Sequence, residues 1–116
     1  MQRIVFAARA AALFILVSSS ALAGDFWTGN KLVAHLREFQ KAERGSHDVD
    51  WESSGLFVGY VLGVYDSDHA LCAAGQVSLG QISAVVAKYL DDHPADWDKP
   101  ASSLVRSALR RAFPCK

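Results

Sequence analysis

The chain has 116 residues, with 12 basic and 12 acidic side chains and a formal net charge of zero at pH 7. No Lys/Arg stripe interrupts it, which argues against nucleic acid or an anionic membrane surface as partner. There is no internal repeat and no low-complexity tract, so one small domain is expected.

Residues 1–23 have the layout of a secretory signal peptide. Met1 to Arg9 is short and basic, Ala10 to Val17 is uninterruptedly apolar, and Ala21-Leu22-Ala23 offers small residues at a cleavage position. The apolar run is too short to span a bilayer. Cleavage after Ala23 leaves residues 24–116, a 93-residue domain with ten basic and twelve acidic side chains, a net charge of −2. The expected location is the periplasm, with no membrane attachment once the leader is removed. Export makes a disulfide between Cys72 and Cys115, the only two cysteines, the default pairing. Closing that loop is worth about 4 kcal/mol in the chain-entropy account. A metal site built on His69 and Cys72 lacks a second cluster with ligand spacing.

Within 24–116 the apolar spacing predicts four helices. Thr28 is placed to cap the first, with Leu32, Val33, Leu36 and Phe39 on one face and Gly45 at its end. A polar loop from Arg44 to Trp51 follows. Ser53 or Ser54 is expected to open a second helix, apolar almost all round from Leu56 to Val64, as suits the centre of a bundle. Gly55, Gly59 and Gly63 fall four apart on it, and each lowers helix propensity by about 1 kcal/mol. Close approach of a neighbouring helix, in the chain or in a homodimer, is the expected compensation.

Ser78 and Gln81 have the spacing of a capping box at the start of a third helix, whose inward stripe is Ile82, Val85, Val86, Tyr89 and Leu90. Pro94 stops it. The acidic connection Asp91 to Asp98 carries Trp97, and Pro100 suits the first turn of a fourth helix. That helix faces Leu104, Val105, Ala108, Leu109 and Ala112 inward and Arg106, Arg110 and Arg111 toward water. The expected fold is therefore all-α, a compact bundle of four main helices with one disulfide.

In this order and spacing the motifs resemble the Rap/Tai family of type VI secretion amidase immunity proteins. The resemblance rests on Gly29-Asn30-Lys31-Leu32, then Gly59-Tyr60-Val61-Leu62-Gly63-Val64 with Asp66 close behind. It continues through Cys72, Val77 to Gln81, Val85 to Pro94, and the closing Leu104 to Cys115. The resemblance implies a protein that binds and inhibits a peptidoglycan-cleaving amidase. The family usually carries two further cysteines, at positions matching Leu36 and Phe57. Their joint replacement by large apolar residues implies that packing between Leu36 and Phe57 substitutes for a covalent tie.

No Gly-x-Ser-x-Gly elbow, His-Glu-x-x-His or phosphate loop is present, so no enzyme activity, catalytic residue, cofactor or metal is expected. Asp66, Asp68 and His69 read better as a solvated helix-ending turn than as a metal site. His35 and His93 read as structural, and Tyr60 and Tyr89 as core residues with a bonded hydroxyl. The candidate partner surface is Asp91 to Lys99, with Trp97 as anchor or as a plug folded onto the bundle. Asp92, His93, Asp96 and Asp98 stand around it, their acids steering toward a basic cleft. Loop Arg44 to Trp51 is a second candidate. Two other binding roles stay open: an acid-stress chaperone of the Hde type, and an orphan binding protein of the same fold.

Overall fold

The computed structural model describes residues 25–72 and 76–115; the leader, residues 1–23, lies outside the described residues. Four α-helices form: α1 (Gly29–Glu43), α2 (Trp51–Ser67), α3 (Leu79–Asp92) and α4 (Ala101–Ala112), with a single 3₁₀ turn (Pro94–Asp96) between the last two. Every pair of helices is in contact, α1 with α2 most extensively and α3 with α4 next. Their shared core holds Leu32, Leu36, Phe57, Val61, Ile82, Val86, Leu90, Leu104, Val105 and Leu109. Leu36 and Phe57 are both completely buried there, and the Phe57 ring lies 5.0 Å from that of Phe39.

Local chemistry sets the helix ends. At the C-terminus of α1, Gly45 adopts a left-handed φ of 72°. The Gly45 amide donates to the Ala42 carbonyl and that of Ser46 to Lys41, a Schellman closure that favours glycine. The Ser78–Gln81 capping box forms in full: Ser78 Oγ accepts from the Gln81 amide at 3.1 Å and Gln81 Oε1 from the Ser78 amide at 2.8 Å.

Five expectations need correction. Thr28 stands at the N-cap of α1 but its hydroxyl makes no capping bond. The first amides of α1 donate instead to main-chain carbonyls, Gly29 to Lys99 at 2.8 Å and Asn30 to Trp97 at 2.7 Å. The second helix begins at Trp51, ahead of Ser53, because Asp50 Oδ1 accepts from the Ser53 amide at 3.0 Å and so caps it. Nor does α2 lie at the centre: it buries Ser54, Phe57, Val61 and Val64 but leaves Leu56 and Leu62 exposed. Three other helices can cover only one side of it. Gly55, Gly59 and Gly63 all lie on the open side, and a methyl added at any of them would meet nothing within 4 Å. No helix among the described residues approaches the glycine face. On α4, Ala112 is likewise exposed rather than inward.

A disulfide joins Cys72 to Cys115, 43 residues apart, with Cα atoms separated by 4.9 Å. Beside it Asp68 reverses the reading of its turn. Asp66 and His69 are exposed, but the Asp68 side chain is only 7% exposed and takes Arg110 at 3.1 Å and Arg106 at 3.7 Å. Its Oδ1 also accepts from the Ala70 amide at 3.0 Å. The turn after α2 is thus bound to α4 by charge and by the disulfide together. Among the described residues no group of three His, Cys, Asp or Glu side chains is placed to hold a metal ion.

Candidate functional site

The α3–α4 connection is a surface segment fixed from below by α1. Besides the two α1 amide bonds, Thr28 pairs with Pro100 in an isolated antiparallel bridge, and the Ala101 amide donates to the Trp27 carbonyl at 2.9 Å. Gly29 permits this contact. A Cβ at position 29 would lie 2.5 Å from Leu104 Cδ1 and 2.8 Å from both Cα and O of Trp97. The start of α1 therefore serves as the seat of the loop. Its dipole adds to the bonds, since the amides it presents carry partial positive charge toward the two carbonyls.

Side chains complete the clamp. Trp97 is half-buried against the core, and its Nε1–H donates to the Leu90 carbonyl at 2.8 Å. The Arg37 guanidinium lies 5.6 Å from the Trp97 ring centroid and donates to Asp91 Oδ1. Gln40 Nε2 donates to the other Asp91 oxygen at 2.7 Å. Each exposed ion pair contributes little singly, about 0–1 kcal/mol, so the indole and the backbone bonds hold most of the geometry. Of the two roles considered for Trp97, the geometry is that of the plug: the indole turns onto the bundle, and a partner would meet its outer edge.

The polar residues of the segment then divide. Asp92 and Asp98 are exposed. Asp96 pairs with Lys99 at 2.9 Å, and this partner raises the Lys99 ammonium above its ordinary value. The Lys88 ammonium, 2.8 Å from Asp92, holds that carboxyl below the usual carboxylate range. His93 stacks on Tyr89, ring centroids 4.0 Å apart, and places Nδ1 2.7 Å from the Tyr89 carbonyl. That oxygen can only accept, so Nδ1 carries the proton.

Behind this segment a groove of about 530 Å³ runs between α3 and α4. Ala84, Val85, Ala108 and Ala112 give it an apolar lining, and Lys88, Tyr89, Asp92, His93 and Arg111 complete it. Alanine at three of these positions keeps the helices from filling the space between them. The segment and the groove share Asp92 and His93 and form one continuous surface.

The other singled-out residues lie elsewhere. Gly59 and Gly63 belong to the open face of α2. Tyr60 stacks on Trp27 at 4.9 Å, and Trp27 in turn lies 4.8 Å from His35. Burial, then the Asp25 charge, raise the Tyr60 hydroxyl above its ordinary value, against the opposing effects of a Ser102 hydrogen bond and Arg106. His35 Nδ1 meets Ser53 Oγ at 2.6 Å, while its Nε2 is buried without a partner. In the second candidate loop, the Lys41 ammonium and the Asp50 amide hold the Glu38 carboxyl below its ordinary value, and His47 and Asp48 are exposed. Trp27 and the Asp68 pairing carry no spacing signal in the sequence, because their partners are remote along the chain.

What the site offers is a fixed surface of paired acidic and basic side chains beside an apolar groove, without a metal cluster among the described residues. No curated protein matches the chain. The family model of the Rap1a immunity proteins matches residues 28–115, from the N-cap of α1 to the cysteine that closes the disulfide. The chain therefore belongs to the Rap1a immunity protein family.

Proposed function

We propose that the protein acts in the periplasm, after loss of residues 1–23, by binding and occluding a peptidoglycan-cleaving amidase delivered by type VI secretion. Membership of an immunity family supports an effector as partner and an inhibitor rather than an enzyme as the role. The observation that carries the mode of action is the clamped α3–α4 segment. Gly29 and Asn30 hold its backbone and Trp97 holds it to the core, so it is already ordered before a partner arrives. Ordering a loop on binding would cost affinity, and a preformed segment avoids that cost. Asp92, paired with Lys88, and Asp98 are exposed on it and carry the charge sign that complements a basic cleft.

The test is affinity capture followed by enzymology. The chain from Gly24 to Lys116, tagged at its C-terminus and exported, is recovered from cells carrying their secretion system. The expected product is one small cell-wall hydrolase, bound stoichiometrically and inhibited. Recovery of many unrelated periplasmic proteins, held only after acidification, would contradict the proposal and favour a chaperone.

A further inference from the structure

The groove between α3 and α4 has a charge arrangement that the acidic segment beside it does not explain. On α4, Arg106 and Arg110 are both committed to Asp68. Arg111, the next residue, turns about 100° further round the helix and lines the groove. Across the groove Asp92 is matched by Lys88 at 2.8 Å. Among the described residues no carboxylate is in ion-pair contact with Arg111. Arg111 thus stands at the edge of an alanine-lined trough with no carboxylate bonded to it among the described residues, its charge reaching Asp92, which Lys88 already pairs.

His93 adds a second constraint. The Tyr89 carbonyl accepts from Nδ1–H and the ring stacks on Tyr89, so His93 is held as a fixed polar wall of the groove. The trough therefore presents apolar walls and two cations, Lys88 and Arg111, against one carboxylate, Asp92. A free inorganic anion would use the cations and none of the apolar wall. An extended peptide with a carboxylate side chain beside an aliphatic one uses both: carboxylate on Arg111, aliphatic group over Val85 and Ala108. The volume is that of a site for a few side chains rather than for a folded element.

We infer that this groove receives a short extended segment of the effector that carries an Asp or Glu next to an aliphatic residue. The inference rests on the immunity reading for the identity of the partner, and on the groove's own geometry for the chemistry. It gives the surface two complementary halves. The acidic segment Asp91 to Asp98 faces basic groups of the effector, and the groove takes an acidic tooth from it.

Two measurements test it. In the first, the Gly24–Lys116 chain labelled with ¹⁵N is titrated with the peptide acetyl-Val-Glu-Leu-amide and with its Gln analogue. The expected result is amide shifts confined to Val85, Lys88, Tyr89, Arg111 and Ala112. Binding should be about tenfold weaker for Gln and absent in Arg111→Glu. Equal responses to both peptides, or none, would overturn the proposal. Groove shifts that appear with protein concentration alone would place a second copy there, and also overturn it.

In the second, the captured hydrolase is inhibited by the unaltered chain, by Arg111→Glu and by Ala84→Trp, which fills the groove from an exposed position. Inhibition should weaken at least about tenfold in both variants at unchanged helicity. Full inhibition by both would remove the groove proposal and leave the immunity reading standing. Failure of the unaltered chain to inhibit any hydrolase would remove the immunity reading, and the peptide titration would then decide the groove's chemistry by itself.

Discussion

Gly29 and Trp97 lie closer than any side chain at position 29 would allow: a Cβ there falls 2.8 Å from both the Cα and the carbonyl oxygen of Trp97. The α1 amide next in line, that of Asn30, donates to the same carbonyl. Gly29→Ala should therefore push the α3–α4 segment off its seat and cost about 1–3 kcal/mol, the range for overpacking. Gly59→Ala offers the control, because nothing lies within 4 Å of its added methyl. It should stabilise the isolated chain by about 0.5–1 kcal/mol through helix propensity. Urea denaturation of both variants checks the pair. Destabilisation by Gly59→Ala would mean that the open face of α2 is covered, as in a homodimer.

Trp97 separates packing from hydrogen bonding. Trp97→Phe keeps a ring over the core but loses the 2.8 Å bond to the Leu90 carbonyl, and should cost about 1 kcal/mol. Trp97→Ala removes the plug as well and should cost about 2–3 kcal/mol, below the value for a fully buried tryptophan. Both are read from thermal and urea midpoints. If Trp97→Ala left stability unchanged, the indole would not be holding the segment.

The disulfide and Asp68 tie the same turn to α4 by different means. Replacing Cys72 and Cys115 together by Ser should cost about 4 kcal/mol, as expected for a 43-residue span. Asp68→Ala should cost about 1.5–3 kcal/mol by leaving the Arg106 and Arg110 guanidinium groups without their shared acceptor. Because the two ties act on one turn, the combined variant should depart from additivity, which a double-mutant cycle measures.

His35 predicts the direction of the acid response. Burial, then the nearby Lys31 charge, lower its pKa below the ordinary 6.5, with Asp50 opposing. As pH falls through about 6.5 the unfolded chain takes up the proton first, so this residue's contribution shifts against folding. The loss levels off once pH passes below the lowered folded value. Urea midpoints between pH 7.5 and pH 5 should fall more steeply for the unaltered chain than for His35→Gln. Parallel slopes would show that His35 does not titrate against folding.

Much of this arrangement is legible in the sequence where the signal is local. The capping box at Ser78 and Gln81, the stop at Pro94 and the Gly45 closure each depend on residues within one or two turns of each other. The apolar stripes of α1 and α4 likewise predict most of the buried positions. What escapes is whatever joins remote segments. Thr28 has the right chemistry for a cap, but carbonyls nearly 70 residues away reach the amides first. Asp68 looks like a solvated turn residue until α4 brings two arginines to it. The composition of α2 implies burial on all sides, yet the three other described helices leave Leu56 and Leu62 exposed. Trp97 carried two readings in the sequence, and the Leu90 carbonyl decides its orientation.

An inhibitory role for the clamped α3–α4 segment requires that it confront the effector. The most direct measurement is the inhibition constant of the unaltered chain against the captured cell-wall hydrolase, compared with that of a chain carrying both Asp92→Lys and Asp98→Lys. Both positions are exposed, so the fold should be preserved. The account predicts tight inhibition by the first and a loss of at least about tenfold with the second, chiefly through slower association at low salt. Equal inhibition by both chains at every ionic strength would contradict it.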